Sequence, residues 1–234
     1  MSLRERELQV LTELKQSQIA EVVTKGINPN VPMKDSGISW IGQIPAHWSV
    51  SKISDIFTER REKVSDKEYQ ALSVSKQGIT LQLDSAVKTD NGDNRKKVCV
   101  GDFVVNSRSD RKGSCGVSQF DGSVSLINIV LQPRKELCGQ FFHYLFRSNN
   151  YIEEFYRLGR GIVADLWTTR YSEMKNIYIP IPPREEMEQI VHFIEDKCQS
   201  IDSMISNLEA EIAYLKEYKQ SLIADAVTGA INVQ

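Results

Sequence analysis

One short segment of this chain combines the side-chain types that proteins use to bind nucleic acid. Residues 106–114 read Asn-Ser-Arg-Ser-Asp-Arg-Lys-Gly-Ser, with three cations within five positions. Arginine and lysine pair with phosphates, while arginine and small polar side chains also hydrogen-bond to base edges. The alternative interpretation of this segment is a solvated surface loop. The candidate nucleic-acid contacts within it are Ser107, Arg108, Arg111 and Lys112.

Further candidate contacts come from four other segments. Glycines flank Arg160 and permit a close approach of the backbone to a ligand. Residues 167–171, Trp-Thr-Thr-Arg-Tyr, offer Thr168 and Arg170, although the tryptophan could instead belong to the core. Two charge runs suit phosphate contacts alone, but such runs are more often solvated faces. The candidates in these two runs are Lys96, Lys97, Arg60 and Arg61.

No arrangement of residues in the sequence suits catalysis. Asn28-Pro29-Asn30-Val31 is superficially like the Asn-Pro-Pro-aromatic motif of amino-methyltransferases, but it lacks the second proline and the aromatic residue. No glycine-rich loop suits a nucleotide or S-adenosylmethionine. The three histidines lie in apolar or aromatic company. We therefore expect a chain with no catalytic residue, no cofactor and no metal.

The composition is that of a globular protein, with 41% hydrophobic residues. No run approaches the ~18 apolar residues that span a bilayer, and the N-terminus lacks the apolar core of a signal peptide. The four cysteines are scattered and form no Cys-x-x-Cys pair, which indicates reduced thiols. We expect a cytoplasmic protein.

The formal net charge of −2 conceals an uneven distribution along the chain. Residues 34–180 carry 21 Lys and Arg against 17 Asp and Glu, whereas the remaining residues carry 8 against 14. The middle of the chain can therefore meet a polyanion while the acidic ends meet protein.

Among the elements that must position these residues, the clearest is a long helix near the C-terminus. Residues 184–228 contain neither glycine nor proline, and apolar residues recur at alternating spacings of four and three. Pro182-Pro183 suits its start and Gly229 its end. About 42 helical residues give a rod of roughly 60 Å. The predicted packing seam is Ile201, Ile205, Leu208, Ile212, Leu215, Lys219 and Leu222.

The end of this helix is repeated at the N-terminus. Residues 15–28 match residues 219–232 at nine of fourteen positions, with an offset of 204 residues. Residues 4–24 are therefore predicted to form a shorter copy of the helix, which Gly26 and Pro29 stop. A period near 200 residues indicates duplicated domains joined by copies of one connecting element.

Between the two helices, the pattern predicts a mixed domain of strands and helices. Residues 102–106 and 177–182 are strand-like, and Asp121-Gly122 between two apolar runs is a strong hairpin signal. Residues 141–156 predict one helix with an apolar side. The expected fold class is α+β, with one mixed α/β domain flanked by a short N-terminal and a long C-terminal coiled-coil helix.

Three local motifs connect the chain to a known family. The first is Asp-Ser-Gly-Ile-Ser-Trp-Ile-Gly-Gln-Ile-Pro-Ala-His-Trp at 35–48, and the second begins Val-Gly-Asp-Phe-Val-Val-Asn at 100–106. The third, Ile-Pro-Ile-Pro-Pro-Arg-Glu-Glu-Met-Glu-Gln-Ile at 179–190, runs into the long helix. Together they span nearly the whole chain and resemble the DNA-specificity (S) subunit of type I restriction–modification systems.

The resemblance implies a non-catalytic subunit that reads one half of a bipartite target in double-stranded DNA. In that family two target-recognition domains are separated by two conserved helices, and this chain resembles half of that plan. The helices would bind methyltransferase subunits, with restriction subunits joining through the complex. The domains would be an N-terminal helix at 1–28, a target-recognition domain at 29–183 and a long spacer helix at 184–234.

Exposed apolar seams of this length require a partner. We expect a two-fold homodimer that restores the two-domain plan, with the long helices packed antiparallel. The competing interpretation is a coiled-coil scaffold whose middle domain binds protein.

Overall fold

A computed structural model describes residues 3–82, 92–161 and 167–228. The chain divides into two compact units, one formed by Met1–Gln18 with His192–Gln234 and the other by Ile19–Val191. All the strands within the described residues lie in the second unit, and a long helix lies near each end of the chain. The α+β class predicted from the sequence is confirmed.

The two long helices are those that the sequence predicts. The first stops where Gly26, with φ +77°, takes the left-handed conformation and donates its N–H to Val22 O at 3.0 Å. Gly229, the predicted stop of the last helix, lies outside the described residues. Within the described ranges, no helix is both long enough and apolar enough to cross a bilayer. The helices are α1 (Leu3–Lys25), α2 (Ile53–Ile56), α3 (Gly139–Arg147), α4 (Asn149–Arg157), α5 (Tyr171–Met174) and α6 (Arg184–Val227).

In the first unit, the start of α1 runs antiparallel to the C-terminal part of α6. Lys15 Nζ lies 2.6 Å from Asp202 Oδ1, and Arg4 Nε lies 3.0 Å from Glu211 Oε1. Residue numbers rise along one helix as they fall along the other. The short and long helices therefore pair within one chain.

Burial of the predicted seam decreases along α6. Ile201 is buried. The next three seam positions are half-buried, and the last three are exposed, although two of these are leucines. An apolar strip therefore faces solvent near the end of α6. The half-buried positions are Ile205, Leu208 and Ile212, and the exposed ones are Leu215, Lys219 and Leu222.

The second unit is built from short antiparallel strands. The strands are β1 (Met33–Asp35), β2 (Gln43–Pro45), β3 (Ser49–Lys52), β4 (Phe57–Glu59), β5 (Lys63–Val64), β6 (Leu72–Ser75), β7 (Gly78–Leu81), β8 (Arg95–Val98), β9 (Phe103–Asn106), β10 (Cys115–Val117), β11 (Gly122–Val124), β12 (Asn128–Pro133) and β13 (Tyr178–Ile181). One sheet has the order β10-β9-β12-β4 and another the order β11-β8-β5. β13 pairs with β3, β1 with β2, and β6 with β7. The strands predicted at 102–106 and 177–182 are confirmed as β9 and β13.

Strand β9 is packed on both faces. Val104 joins an aliphatic cluster that includes Val98, Val124 and Val130. The side chain of Phe103 points to the other face, where its ring lies 5.0 Å from that of Phe146 among buried aromatic residues. Successive side chains of a strand face opposite sides of the sheet, so Phe103 and Val104 pack into two different apolar clusters. The segment that follows β9 therefore begins from a well-anchored strand.

The hairpin predicted at Asp121-Gly122 is wrong. β10 pairs with β9, whereas β11 pairs with β8, so the strands that flank this dipeptide belong to different sheets. Asp121 Oδ1 accepts the N–H of Val100 at 2.9 Å. A Cβ at position 122 would lie 2.6 Å from Gln70 O. Contacts with residues distant in the sequence, and not a two-residue turn, therefore explain why Asp and Gly suit these two positions.

The single helix predicted over 141–156 is two helices. Ser148, with φ −65° and ψ 142°, is extended and separates α3 from α4. Its hydroxyl donates to Leu145 O at 2.8 Å, a local bond that competes with continued helix. The apolar side is still largely as predicted, because Phe142, Leu145 and Phe155 are buried.

Candidate nucleic-acid interface

Three separate segments, one of them about 50–60 residues from the other two, meet at Thr168. Its backbone forms antiparallel bridges to both Arg108 and Arg160. Thr168 and Arg160 exchange two main-chain hydrogen bonds, each 3.1 Å long. The structure therefore joins three segments that the sequence identified separately as candidate DNA contacts.

Main-chain bonds also fix the loop that connects β9 to β10, residues 107–114, which we call the reading loop. The N–H of Ser109 donates to Trp167 O at 2.9 Å, and the N–H of Thr169 donates to Ser107 O at 3.0 Å. Within the loop, Ser109–Arg111 form one 3-10 turn. The backbone that carries the arginines is thus tied to a neighbouring segment at two points.

Buried hydroxyl groups also hold this junction in place through hydrogen bonds to main-chain carbonyls. The Tyr156 hydroxyl donates to Asn106 O at 3.1 Å, and burial raises the pKa of Tyr156, so the phenol keeps the proton that it donates. Thr169 is fully buried, and its hydroxyl donates to Phe155 O at 2.8 Å. Helix α4 therefore sets the position of the reading loop and of its neighbour.

Predicted contact residues from four segments line a single groove beside the junction. Lys63, which belongs to the same basic run as Arg61, adds a cation to it, and the exposed side chains of Leu126 and Ile127 add apolar surface. Such a lining can pair with phosphates and also touch bases. The predicted contacts in this groove are Arg61, Lys96, Ser107, Thr168 and Arg170.

One carboxylate lies among the cations of the groove. Glu59 Oε2 is 2.7 Å from Arg61 Nε, and Glu59 Oε1 is 3.2 Å from Lys96 Nζ. Lys96 also donates to Asn128 O at 2.8 Å and is largely covered. The Arg61 side chain remains 77% exposed. Of these two cations, Arg61 is the more accessible to a ligand.

The reading loop carries its own carboxylate. Arg108 donates to Asp110 through two hydrogen bonds, Nε to Oδ1 at 2.8 Å and Nη2 to Oδ2 at 2.9 Å. Arg111 Nε lies 3.9 Å from the same carboxylate. Lys112 pairs with Glu153 of α4 at 3.0 Å. The arginines predicted to read bases are therefore held within one small ion-pair cluster.

Two further predicted cations lie at the edge of the junction. The Arg160 side chain is 84% exposed, and its Nε lies 3.9 Å from Glu173 Oε1. Arg170 immediately precedes α5 and is exposed in the groove. Both side chains can reach a ligand without the loss of a close ion pair.

Arg60 has a different environment from its neighbour Arg61. Its Nε and Nη2 donate to Asp102 at 2.7 and 3.1 Å, and the Asp102 side chain is only 3% exposed. The hydrogen bond that Arg60 donates to the Asp102 carboxylate raises the pKa of Arg60. This side chain connects β4 to the start of β9, so its proposed phosphate contact has the least structural support among the candidates.

Lys97 is also engaged within the second unit. Its Nζ lies 2.9 Å from Glu62 Oε1 and 5.1 Å from the centre of the Tyr69 ring. The hydrogen bond that Lys97 donates to the Glu62 carboxylate raises the pKa of Lys97. Neighbouring Arg95 is buried and donates to Ser123 Oγ at 2.9 Å, while its burial lowers its pKa. In the 95–97 run, Arg95 therefore belongs to the core, whereas Lys97 lies at the surface.

The sequence interpretation missed the acidic residues of this surface. Asp110 and Glu59 each touch two predicted contact cations, and neither was a candidate. The available signal was local, since Asp110 stands between two arginines and Glu59 directly precedes two more. Across the described ranges, no group of three or more His, Cys, Asp or Glu side chains could hold a metal ion.

Comparison with known proteins agrees with the motif-based resemblance. No family model matches the chain. It is 25% identical over 210 residues to the specificity subunit of the type I restriction enzyme EcoKI from Escherichia coli K12, covering 81% of this chain and 44% of that protein. It is 24% identical over 210 residues to the StySPI specificity subunit of Salmonella potsdam, with the same coverage of each chain. The chain thus spans about half the length of these curated relatives.

Solved structures show the same fold. A chain from a type I restriction–modification system, studied for complex assembly and conformational transition, matches with a TM-score of 0.63 at 16% identity, over 96% of this chain and 53% of that one. The HsdS subunit of Thermoanaerobacter tengcongensis matches with a TM-score of 0.54 at 18% identity, over 98% of this chain and 54% of that one. The predicted resemblance to half of a specificity subunit is confirmed.

Proposed function

We propose that this chain, like the type I specificity subunits that it resembles, is a sequence-specific DNA-binding module that reads one half of a bipartite target. The observation that carries the proposal is the groove beside Thr168. Five contact residues predicted from four separate segments line it together. A coiled-coil scaffold would have no need to gather such residues on one surface.

The side chains divide into two roles under this proposal. Arg108 and Arg111 would hydrogen-bond to base edges, a role that the backbone bonds holding their loop support. Arg61, Arg160 and Arg170 are more exposed or lie along the groove, which suits phosphate contacts that set the register of the duplex. Lys96 and the Thr168 hydroxyl would add contacts in the groove, which Ser107 also lines, although its hydroxyl already donates to Ile127 O. Lys112 would add a contact at the reading loop. Lys97 follows Lys96 on β8 and therefore points to the opposite face of that strand, so its contact would lie outside the groove.

The helices would provide the protein-binding surfaces. We propose that methyltransferase subunits dock on them and that restriction subunits join through the resulting complex. The large apolar side chains at the end of α6, which a solvated helix would not normally gather, form a separate surface that we assign to a different partner. Tyr214 and Tyr218 stack with ring centres 6.3 Å apart on this surface. The chain itself would be non-catalytic, with chemistry supplied by the docked subunits.

A second copy of this chain is the partner that we propose for the exposed end of α6. Residues 219–232 repeat residues 15–28, and the start of α1 already packs antiparallel on α6 within one chain. A two-fold dimer would supply two recognition domains from a chain about half the length of its relatives. The proposed domain limits remain 1–28, 29–183 and 184–234.

Light scattering tests the dimer directly. Leu222→Glu should convert the dimer to a monomer at micromolar concentration, because it places a charge in the proposed apolar interface. The matched control is Asp225→Glu, which changes the same end of α6 without adding a charge. A wild-type chain that is monomeric at this concentration would contradict the dimer.

Selection from a random pool of duplexes, followed by filter binding at several salt concentrations, tests DNA reading. We expect one enriched sequence and a steep loss of affinity as salt rises, because phosphate pairing releases counterions. A scaffold that binds protein would enrich no sequence and would bind DNA weakly at every salt concentration. That outcome would overturn the proposed function.

A further inference from the structure

The predicted DNA-contacting cations are already paired with acids. Eight of the nine have a carboxylate oxygen within 4 Å, and for Arg170 no such oxygen lies among the described residues. This neutralisation is consistent with the small net positive charge of residues 34–180. A duplex must therefore compete with carboxylates of the protein itself. The eight paired cations are Arg60, Arg61, Lys96, Lys97, Arg108, Arg111, Lys112 and Arg160.

Asp110 differs from the other acids in the geometry of its contact. It accepts from Arg108 through the Nε–Nη2 side of the guanidinium, at 2.8 and 2.9 Å. We call these two parallel hydrogen bonds the Arg108 fork. A guanidinium has five N–H donors, so the fork leaves both N–H groups of Nη1 and one of Nη2 without a bond to Asp110. These three lie at the end of the side chain. The Arg108 backbone is fixed as well, by its bridge to Thr168.

We propose that Asp110 is a specificity-determining residue, which orients Arg108 toward a base and weakens its attraction for phosphate. This inference rests on the proposed DNA-reading function. The end of the oriented guanidinium matches two adjacent acceptors, the pattern that guanine O6 and N7 present in the major groove. A base edge is neutral, whereas a phosphate is anionic and is repelled by the neighbouring carboxylate. Asp110 therefore favours target DNA over other DNA.

Orientation and repulsion act on different complexes. In the target complex, the fork has already restricted a long side chain, so less rotamer freedom is lost when the base bonds form. In a non-target complex, phosphates supply nearly all of the attraction, and a carboxylate beside two arginines opposes it. Removal of the charge should therefore help non-target binding more than target binding.

Asp110→Asn is the direct test, because it removes the charge and keeps the size of the side chain. We expect its affinity for non-target duplex to rise about two- to fivefold, the range of an exposed ion pair. The salt dependence of non-target binding should become steeper, by up to about 0.9 per added phosphate contact. Target affinity should not rise, and selection by the variant should relax at a guanine position.

The matched control is Glu153→Gln, which removes one negative charge from the partner of Lys112 without touching the Arg108 fork. It should raise target and non-target affinity by similar factors, because only the overall field changes. Thermal unfolding of both variants would show that each is folded. The inference is overturned if Asp110→Asn changes the ratio of target to non-target affinity no more than Glu153→Gln does. A wild-type chain that selects no sequence would overturn the proposed function as well, which separates the two failures.

Discussion

Glu186, in the first turn of α6, accepts a hydrogen bond from the buried indole of Trp48, with 3.0 Å between Oε2 and Nε1. The same oxygen lies 2.7 Å from His47 Nε2. His47-Trp48 ends one of the motifs that resemble the specificity subunits, and Glu186 belongs to another. These motifs therefore connect parts of the fold, whereas the candidate DNA contacts lie elsewhere.

The close packing at this connection predicts a strong effect of Gly26→Ala. Gly26 has φ +77°, and a Cβ there would lie 3.2 Å from both Glu186 Oε1 and Trp48 Cζ2. The left-handed backbone alone costs about 1–2 kcal/mol for alanine. We expect a larger loss at position 26, since the buried indole cannot move away easily.

Gly101→Ala is the matched control for that variant. Gly101 has φ +88°, but a Cβ there would meet nothing within 4 Å. Chemical denaturation of both variants would isolate the contribution of packing, because the backbone contribution is shared. Equal losses of unfolding free energy would show that the contact with Glu186 and Trp48 contributes nothing.

Truncation of the adjacent residues Arg60 and Arg61 should affect different properties, the stability of the fold in one case and the affinity for DNA in the other. Arg60→Ala removes the partner of the buried Asp102 carboxylate and should lower the free energy of unfolding by about 3–5 kcal/mol. Arg61→Ala alters an exposed side chain and should change stability by less than about 1 kcal/mol. It should instead weaken binding to every duplex. Thermal unfolding and filter binding on the same two variants would distinguish these roles, and a DNA-binding defect in a stably folded Arg60→Ala chain would contradict them.

These two arginines also show where prediction from the sequence ends. Both stand in one charge run, and nothing local says that Arg60 meets an aspartate 42 positions away. Long periodic elements such as α6 were predictable because their pattern repeats over many turns. The false hairpin at Asp121-Gly122 arose because a turn signal does not specify which strands pair. The groove was likewise beyond local pattern, since Thr168 joins segments about 60 and 8 residues earlier only through the fold.

Loss of either arginine of the reading loop should reduce discrimination between DNA sequences. Arg108→Ala and Arg111→Ala should each weaken target binding by about 1–3 kcal/mol if the arginine forms a bidentate bond to a base. Lys96→Ala should lower affinity for all sequences and flatten the salt dependence. Competition binding against the selected duplex and a scrambled one would measure both effects. Wild-type discrimination in both arginine variants would remove this loop from the interface.

Stability should fall on mild acidification because of His143. Burial lowers the pKa of His143 to about 4, and the Arg147 guanidinium 3.0 Å away acts in the same direction. In the unfolded chain His143 has the ordinary histidine pKa near 6.5. Between about pH 6.5 and 4 the unfolded chain therefore binds a proton at this residue and the folded chain does not. Stability is therefore fully present above about pH 6.5 and declines toward pH 4, by at most about 3 kcal/mol.

Unfolding free energies measured between pH 7 and 4 would test this. His143→Gln should show a smaller decline over that interval, because glutamine does not titrate. Its stability at pH 7 will differ from wild type owing to the changed packing, so the slope and not the absolute value is the informative quantity. An unchanged slope in the variant would assign the acid sensitivity to other groups.

The length of α6 should set the spacing between half-sites if the proposed dimer forms. A stiff rod between two recognition domains acts as a ruler, and a symmetric dimer should select an inverted repeat with a fixed spacer. Deletion of residues 208–214 keeps the heptad phase and shortens the helix by about 10 Å. We expect the preferred spacer to shorten by about three base pairs, at ~3.4 Å per pair, with the half-site unchanged. A duplicated 208–214 segment is the control and should lengthen the spacer by a similar amount. Retention of the original spacer by both variants would show that the helix does not determine the distance.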